Sequence, residues 1–410
     1  MNISDIKIKK EFKILLIIGV VYIALILLFI SKFNFNLSST IELSKNHIME
    51  YTGKIPPGTI LHKNNGFDGQ YYYMIALNPS LEKIHTSPNF LQRVFYPMLA
   101  KVLALNITSL LPLSFIVINL ASILISSYVL MLLLKKYNAN INLVYLWALN
   151  VGFLISITRN LTEPLMVCFI VLMIYFIEKG NHYLAATSLA LAILTRELAL
   201  TIYAAVLLYF LIKIDFKKFA LYFISIIPFS IWEYYIYLKT GYLALFVSAG
   251  AVSFLPKGIL GYFIGVLPNI NYYIVKPVVA PEEHIASSNY FFTYLQDINK
   301  IFSPLPILIF TIILAAILII NFLKERKFTL YTILLLSQVT LIAILQGDLF
   351  FKEVDTVGRY SLPMFFLSIL YFGERGKKYN RILAVLLILS SVLYFIQRFI
   401  LPKGGFLIIT

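Results

Sequence analysis

The property of this chain that most constrains its fold is a series of long apolar runs separated by short polar stretches. Apolar runs long enough to cross a bilayer, or nearly so, lie at residues 12–30, 111–134, 141–158, 161–178, 183–195, 197–212, 218–238, 304–323, 328–346, 358–373 and 381–401. A spanning helix needs about 20 predominantly apolar residues to cross a hydrocarbon core about 30 Å thick. The chain is therefore predicted to be an all-α polytopic membrane protein with about eleven transmembrane helices.

The composition agrees with a membrane protein and argues against nucleic acid as a partner. Of the 410 residues, 60% are hydrophobic and 13% are charged, whereas about a quarter of the residues in a soluble domain are charged. The net charge of +15 would fit nucleic-acid binding. However, the lysines and arginines form small clusters between apolar runs instead of one basic face, so we interpret them as topology anchors.

The basic clusters predict the orientation of the chain. They are Lys7, Lys9, Lys10 and Lys13; Lys135 and Lys136; Lys213, Lys217 and Lys218; Lys324, Arg326 and Lys327; and Arg375, Lys377, Lys378 and Arg381. If the span count is right, all of them lie on one side, which the positive-inside rule assigns to the cytoplasm. The N-terminus is then cytoplasmic and the C-terminus outside, in a multi-pass protein of the cell membrane. The first run is too long for a signal-peptide core, and no small-residue cleavage site follows it, so we expect a retained helix.

The chain is interpreted as one integral membrane domain, residues 1–410, with two long extracytoplasmic segments at 31–110 and 239–303. Residues 69–77 and 89–105 carry Tyr, Phe and Leu on one side and are predicted to form amphipathic helices in the interface plane. Isolated charges occur at the outer ends of the spans. Such charges are costly unless they are paired or hydrated, so by default they mark a site.

Asp68 lies in the sequence FDGQYYYMIA, residues 67–76, within the first outer segment. One interpretation is structural: an Asp before Gly opens a turn, and its carboxylate caps the next helix by accepting free backbone N–H groups. The other is functional. A carboxylate beside a membrane-embedded cavity takes a proton from an acceptor hydroxyl, and burial is expected to raise its pKa toward a useful value. The two interpretations are compatible.

Arg93, Arg159 and Glu163 each have a structural and a functional interpretation as well. Arg93, in the sequence RVFYP, is either an interfacial residue that snorkels toward water or a partner of Asp68 or of a phosphate group. Arg159 and Glu163 are four residues apart and are expected to pair along one helix face. Their alternative role is to bind substrate.

Two further outer turns carry arginines. Arg196 and Glu197 are adjacent, so they do not face each other on a helix. A guanidinium at this turn suits a phosphodiester, because it stays charged and grips two oxygens at once; structural pairing fits equally well. Arg359 follows a loop that contains Asp348 and Asp355, and it is interpreted either as part of an ion pair at the rim or as a ligand of phosphate or acceptor.

No metal site and no cofactor are expected, although a divalent metal stays an open alternative. The chain has no Asp-x-Asp pair, and its outer histidines lack ligand spacing. Glu282, Glu283 and His284 form only a weak acidic cluster. The single cysteine, Cys168, excludes an intramolecular disulfide and a thiolate metal site of any size. The sequence contains no Walker loop and no Gly-rich dinucleotide fingerprint.

The sequences FDGQYYYMIA and RVFYP, with the later TRNLTEPL and LTRELAL, resemble the GT-C superfamily of polytopic glycosyltransferases, which use polyprenyl- or dolichyl-phosphate sugars. They look most like mannosyltransferases of the glycosylphosphatidylinositol type and their prokaryotic relatives, up to about residue 200. The resemblance implies a GT-C-like bundle with interfacial helices in the first outer loop over a lipid-facing cavity. It also implies that Asp68 is the catalytic base. The residues expected on physical grounds to bind substrate are Arg93, Arg159, Glu163, Arg196, Glu197 and Arg359.

The expected activity is that of a hexosyltransferase, which moves a sugar such as mannose from a polyprenyl-phosphate donor to a lipid, glycan or protein hydroxyl outside the cell. The lipid-phosphate sugar carries its own leaving group, the lipid phosphate. One carboxylate and one or two arginines therefore suffice for an inverting single displacement. Two alternatives stay open. A lipid or solute transporter, including a flippase, should carry ionisable groups near the bilayer midplane, where Glu233 is the main candidate. A polysaccharide polymerase or ligase would also act at the outer face.

Overall fold

The computed structural model describes residues 9–63, 66–249, 304–326, 328–345, 354–375, 380–396 and 406–408. These residues are mostly helical, which confirms the prediction of an all-α protein. Most of the second predicted outer segment, from residue 250 to 303, lies outside the described residues, as do Asp348 and the acidic cluster at 282–284.

The structure is a succession of helices with one pair of short strands. The helices are α1 (Lys10–Ser31), α2 (Gly69–Leu77), α3 (Pro88–Leu91), α4 (Phe95–Leu103), α5 (Leu111–Lys136), α6 (Val144–Ala148), α7 (Val151–Ile157), α8 (Glu163–Glu178), α9 (His182–Thr195), α10 (Ala199–Ile212), α11 (Phe216–Ile224), α12 (Ile227–Thr240), α13 (Ala244–Ala249), α14 (Leu305–Glu325), α15 (Leu330–Ile344), α16 (Val354–Tyr360), α17 (Leu362–Arg375) and α18 (Asn380–Phe395). Short 3₁₀ helices lie at Leu37–Ile41, His47–Glu50, Thr108–Leu110 and Ile141–Leu143. Strands β1 (Ile60–His62) and β2 (Phe406–Ile408) pair antiparallel, so β2 lies beside the loop that follows α1.

Four helical segments in the described part of the chain are long and apolar enough to cross a membrane. They are Lys10–Ser31, Thr108–Lys136, Phe216–Thr240 and Leu305–Glu325. Helices α9, α10 and α15 are apolar but shorter. The structure thus indicates a membrane protein, as the sequence predicts, while the count of about eleven spans stays a prediction.

Two of the predicted spans contain a break where the local sequence interrupts the helix. The predicted span 141–158 divides into α6 and α7 at Asn150, whose side chain accepts a hydrogen bond of 2.8 Å from a backbone N–H two residues on and so caps α7. The predicted span 218–238 divides into α11 and α12, where Pro228 occupies the first turn of the second helix. Each helix beside such a break is short, although the whole segment Phe216–Thr240 is long enough to cross a membrane.

One end of the helix bundle carries Lys135, Lys136 and Arg375, which belong to three of the basic clusters. The ion pairs Lys135–Glu11, Lys136–Glu178 and Arg375–Glu325 join the start of α1 and the ends of α5, α8, α14 and α17. Ion pairs near the surface contribute little stability, typically about 0–1 kcal/mol. They do show that these helix ends share one face of the bundle, which the predicted orientation requires.

The first loop packs into the protein instead of lying flat on its surface. Helix α2 has the predicted bounds, yet residues 69–76 are all buried, so the prediction of an interfacial amphipathic helix is wrong for this segment. The second predicted helix divides into α3 and α4. Helix α4 buries Tyr96 and Ala100 and exposes Val102 and Leu103, which is the distribution expected of an interfacial helix.

Candidate active site

Six of the charged side chains selected from the sequence meet at the end of the bundle opposite the basic clusters. They are Asp68, Arg93, Glu163, Arg196, Glu197 and Arg359, and we call them the arginine–carboxylate cluster. Glu163 begins α8, whereas Glu178, beside Lys136, ends it. The cluster pairs three arginines with three carboxylates, so it has no net charge when all six groups are ionised.

Asp68 is the cluster residue nearest to solvent. It immediately precedes α2, but its side chain makes no capping hydrogen bond to that helix, so the helix-cap interpretation is wrong. Its Oδ2 instead accepts a hydrogen bond of 3.2 Å from Arg359 Nη1 and lies 3.6 Å from Arg93 Nη1. The Asp68 side chain is 23% exposed, compared with 5% for Arg93 and 4% for Arg359. A ligand from outside therefore reaches this carboxylate before the arginines behind it.

Gly69 allows Asp68 to take this position. A Cβ atom at residue 69 would lie 2.2 Å from the Arg159 carbonyl oxygen and 3.0 Å from the Ile41 carbonyl oxygen. Both contacts are with backbone atoms, which cannot rotate away as a side chain can. The glycine of the Asp-Gly pair is thus required by the close approach of two chain segments at the start of α2.

Arg93 is buried and fully engaged, so the snorkelling interpretation is wrong. Its Nε and Nη2 donate to the two carboxylate oxygens of Glu197, at 2.8 and 2.6 Å. Its Nη1 donates to the Tyr72 hydroxyl at 2.7 Å, and its guanidinium carbon lies 5.6 Å from the centre of the Phe90 ring. Bidentate pairs of this kind hold a guanidinium in one orientation. Glu197 therefore sets the direction in which Arg93 faces Asp68.

Glu163 does not pair with Arg159, contrary to the prediction. Between them the chain is not helical, and Asn160 adopts a left-handed conformation with φ of 49°. Glu163 is fully buried, and its Oε1 accepts hydrogen bonds from Arg359 Nη1 at 2.9 Å and from Arg196 Nη1. Glu163 is therefore the carboxylate that joins two arginines.

Arg196 lies at the junction of α9 and α10, where its extended backbone separates the two helices. It is fully buried, and besides Glu163 its Nη1 contacts the Thr162 hydroxyl at 3.3 Å. Its Nε and Nη2 have no hydrogen-bond partner among the described residues. Unpaired buried donors cost about 1–3 kcal/mol each. Arg196 therefore retains the capacity to donate two more hydrogen bonds, in a form that suits an anion.

Arg159 belongs to a second group beside the cluster. Its Nη1 lies 2.5 Å from Asp355 Oδ2, and its Nε lies 3.4 Å from Glu42 Oε2. Its guanidinium carbon lies 3.9 Å from the centre of the Phe67 ring, and that of Arg359 lies 4.9 Å from the same centre. The predicted substrate-binding residue Arg159 thus contacts the same aromatic ring as Arg359.

Three residues of the site, Phe67, Tyr72 and Glu42, were not among the predicted site residues. Asp355 was expected to form an ion pair with Arg359 at the rim. Phe67 and Tyr72 lie within the FDGQYYYMIA sequence, so attention to the neighbours of Asp68 would have found them. Nothing in the sequence marks Glu42. Its left-handed backbone, with φ of 53°, and its position beside Arg159 depend on how distant segments pack.

The charges of the cluster act on the acidity of Asp68 in opposite directions. Burial raises the pKa of its carboxyl group. Arg359, Arg93 and Arg196 together lower the pKa by more than burial raises it, so the pKa is below its ordinary value. The prediction that burial raises this pKa toward a useful value is therefore wrong for the unliganded protein. Burial also raises the pKa of Tyr72, to about 12, so the phenol is neutral near pH 7. Asp68 is therefore ionised at neutral pH, and its lowered pKa makes it a weaker base than an ordinary carboxylate.

The donor set of the cluster suits an anion better than a cation. Within the described ranges, no group of three or more His, Cys, Asp or Glu side chains lies close enough together to hold a metal ion. Each carboxylate of the cluster instead contacts at least one guanidinium. The planar guanidinium group binds oxyanions such as carboxylate and phosphate through two parallel hydrogen bonds.

An apolar groove of about 420 Å³ lies between α1, α6, α7 and α18. It is lined by Val21, Leu25, Tyr145, Leu146, Leu149, Leu154, Ile388, Ser391, Val392 and Phe395. The Ser391 hydroxyl donates to the Leu149 carbonyl at 2.9 Å. Next to the groove, the Tyr394 hydroxyl lies 3.4 Å from Thr158 Oγ1, and Arg159 is the residue that follows. The groove and this contact therefore share helix α18, and Thr158 directly precedes Arg159 in the chain.

Comparison with known proteins adds no family assignment. No protein-family model, no curated protein and no solved structure matches this chain. The function is therefore argued from the geometry and chemistry of the site.

Proposed function

We propose that the protein is a membrane glycosyltransferase that transfers a hexose, such as mannose, from a polyprenyl-phosphate donor to a hydroxyl group of a lipid, glycan or protein. The observation that carries the proposal is the position of Asp68. Its ionised carboxylate is the more exposed partner in its contacts with Arg359 and Arg93, and Arg196 behind them retains two free donors. One accessible base beside several buried cations matches the needs of this reaction.

The reaction is a single displacement. The acceptor oxygen forms a bond to the anomeric carbon while the bond from that carbon to the phosphate oxygen breaks, so the configuration inverts. Asp68 takes the proton of the acceptor hydroxyl, and the polyprenyl phosphate leaves with the electron pair of the broken bond. Arg196 and Arg359 offset the negative charge that grows on the phosphate. A bound phosphate also competes with Asp68 for these arginines, which raises the pKa of the carboxyl group and makes it a better base.

The apolar groove supports a lipid-linked donor. Its lining is suited to a hydrocarbon chain, and it lies beside Thr158 and Tyr394, close to Arg159. A prenyl chain in the groove would present its phosphate toward the arginine side of the site. Because a prenyl chain comes from a bilayer as apolar as the groove, its retention there depends on van der Waals packing and not on removal of area from water.

The finer architecture is part of this proposal. We infer a GT-C-like bundle of about eleven spans, with the arginine–carboxylate cluster on the extracytoplasmic face. The separation of Glu163 and Glu178 at opposite ends of α8 supports this arrangement, because the basic clusters accompany Glu178. The pairing of β2 with β1 supports an odd number of crossings, since it places residues 406–408 beside the first loop.

One specific observation bears on the transporter alternative. Glu233, the expected midplane carboxylate, accepts a hydrogen bond of 3.1 Å from the Leu245 N–H at the start of α13. This contact gives Glu233 a structural role, because its carboxylate caps the start of α13. It therefore argues against Glu233 as the ion- or solute-binding group of a transporter. A polymerase or ligase that uses diphosphate-linked donors would use the same arginines, and it is the second candidate.

The test is a transfer assay with purified protein in detergent. Labelled polyprenyl-phosphate mannose and glucose are offered with a crude lipid and glycan extract, for the wild type, Asp68→Asn and Asp215→Asn. Asp215 caps α11 at the start of that helix and serves as the matched control. We expect transfer by the wild type and Asp215→Asn and none by Asp68→Asn. Transfer by Asp68→Asn at the wild-type rate would refute the base assignment, and no transfer by folded wild type would favour a diphosphate-linked donor or a transporter.

A further inference from the structure

The ring of Phe67 contacts two guanidinium groups that belong to different parts of the chain. The guanidinium carbon of Arg159 lies 3.9 Å from the ring centre, and that of Arg359 lies 4.9 Å from it. Cations are attracted to an aromatic face within about 6 Å of its centre. Phe67 also immediately precedes Asp68, so its position and that of the proposed base are linked through the backbone.

Asp355 also contacts both of these arginines. Its Oδ2 lies 2.5 Å from Arg159 Nη1, and its backbone carbonyl accepts a hydrogen bond of 2.7 Å from Arg359 Nε. The second contact occupies Nε of Arg359, whereas Nη1 of the same guanidinium contacts Asp68 and Glu163. Phe67, Arg159, Asp355 and Arg359 thus form a closed ring of contacts.

The backbone beside Phe67 is anchored to the same ring. The Phe67 N–H donates to the Glu42 carbonyl at 3.2 Å, and the Glu42 carboxylate lies 3.4 Å from Arg159 Nε. Gly69 packs directly against the Arg159 carbonyl oxygen. Asp68 therefore lies between two residues that are both held against Arg159, while Arg359 is held against Arg159 through Phe67 and Asp355.

We propose that Phe67 is a positioning residue and that its ring, together with the backbone carbonyl of Asp355, holds the Arg359 guanidinium against the Asp68 carboxylate. Their effect on catalysis rests on the proposed function, whereas their effect on the Asp68–Arg359 contact does not. Neither residue needs to touch substrate. Without them, Arg359 keeps Glu163 as a partner and is free to turn away from Asp68.

The ionisation of Asp68 reports this contact directly. The charged and titratable groups around the carboxylate are Arg93 before α4, Arg196 after α9, Arg359 on α16, Tyr71 and Tyr72 on α2, and Glu163 and Glu197 behind the arginines. Arg359 makes the largest opposing contribution to burial. Movement of this one guanidinium should therefore change the protonation midpoint more than any other single displacement in the group.

The experiment is an infrared titration of the carboxyl group in detergent-solubilised protein. Asp68 is assigned in each background by subtracting the spectrum of the same protein with Asp68→Asn. For Phe67→Leu we expect the midpoint to rise by roughly one pH unit, because an opposite charge at this distance lowers a carboxyl pKa by about 1–3 units. Phe67→Tyr retains an aromatic face and should restore the wild-type midpoint. The matched control is Phe95→Leu, since Phe95 is a partly buried phenylalanine that packs edge to face against Phe169, at 5.7 Å between ring centres.

The outcomes separate this proposal from the glycosyltransferase proposal, because the titration needs no substrate. An unchanged midpoint in folded Phe67→Leu, or the same rise in Phe95→Leu, would overturn the positioning role even if transfer is demonstrated. A rise confined to Phe67→Leu would support it even if no donor is turned over. If Phe67→Leu does not fold, Phe67→Met, which also lacks an aromatic face, replaces it, with the same rise expected and the same unchanged midpoint counting against the proposal.

Discussion

Asp68 and Arg359 are 291 residues apart in the sequence, and their Oδ2 and Nη1 atoms lie 3.2 Å apart in the folded chain. The same Arg359 atom also meets Glu163 at 2.9 Å. The proposed base is thus tied to the buried part of the arginine–carboxylate cluster through one guanidinium. Substitutions around this contact make the proposals testable.

Arg196→Ala is expected to weaken binding of the donor more than binding of the acceptor. Arg196 carries two donors without a partner in the described part of the structure, and a hydrogen bond to a charged group contributes about 1.5–3 kcal/mol. The KM for the lipid-phosphate donor should therefore rise about 10- to 100-fold. Titration of each substrate at a saturating level of the other measures the difference. Arg375→Ala, at the opposite end of the bundle, is the control, and equal weakening of both substrates would indicate a structural role for Arg196.

Val392→Trp is expected to impair the use of long-chain donors only. Val392 lines the apolar groove, and an indole there would occupy the volume needed by a prenyl chain. The KM should rise for a long polyprenyl-phosphate sugar and stay near the wild-type value for a short-chain analogue. Val385→Trp is the matched control, because Val385 is exposed on the same helix but does not line the groove. A similar effect of both variants, or of both chain lengths, would argue against the groove as the lipid site.

Glu163→Ala is expected to destabilise the fold strongly. Glu163 is fully buried between Arg196 and Arg359, and removing one partner of a buried ion pair costs about 3–5 kcal/mol, because the other charge stays buried. The thermal unfolding midpoint in detergent measures the effect. Glu325→Ala removes the more exposed partner of Arg375 and should cost no more than about 1 kcal/mol. Comparable midpoints for the two variants would contradict the cluster as described.

The contribution of Asp68 to stability should disappear at low pH. Its pKa in the folded protein is lower than the value of about 3.9 expected for an unfolded chain. A carboxyl group with a lowered pKa stabilises the fold above its unfolded pKa, and that stabilisation is lost as the pH falls through the folded pKa. The difference in melting temperature between wild type and Asp68→Asn should therefore be constant above about pH 5 and shrink below about pH 4. A difference that grows on acidification would show that the pKa is raised instead.

Gly69→Ala is expected to disrupt the site, whereas Gly19→Ala should not. A Cβ at residue 69 would lie 2.2 Å from a backbone oxygen, so the start of α2 must move. A Cβ at residue 19 meets nothing within 4 Å, and alanine favours a helix over glycine by about 1 kcal/mol. Folded yield and melting temperature should fall for the first variant and hold or rise for the second. A wild-type melting temperature for Gly69→Ala would show that the two segments can separate at little cost.

The sequence alone determined the properties that depend on local composition. Apolar runs predicted the helices, because the transfer of a segment into a bilayer depends on the residues of that segment. The basic clusters predicted which helix ends lie together, and Lys135, Lys136 and Arg375 do lie at one end. The rule that isolated outer charges mark a site led to Glu163, Arg196, Glu197 and Arg359, because a buried charge is rarely kept without a partner. The sequences FDGQYYYMIA and RVFYP led to Asp68 and Arg93.

Only the tertiary structure decided which charges pair. Asp68 contacts Arg359 instead of capping α2, and Arg159 contacts Asp355 instead of Glu163. Ion pairs depend on distances of a few ångströms between segments far apart in the chain, and sequence spacing fixes such distances only within one helix. The lowered pKa of Asp68 has the same origin, since it results from burial and from the charges of the neighbours that folding brings to it.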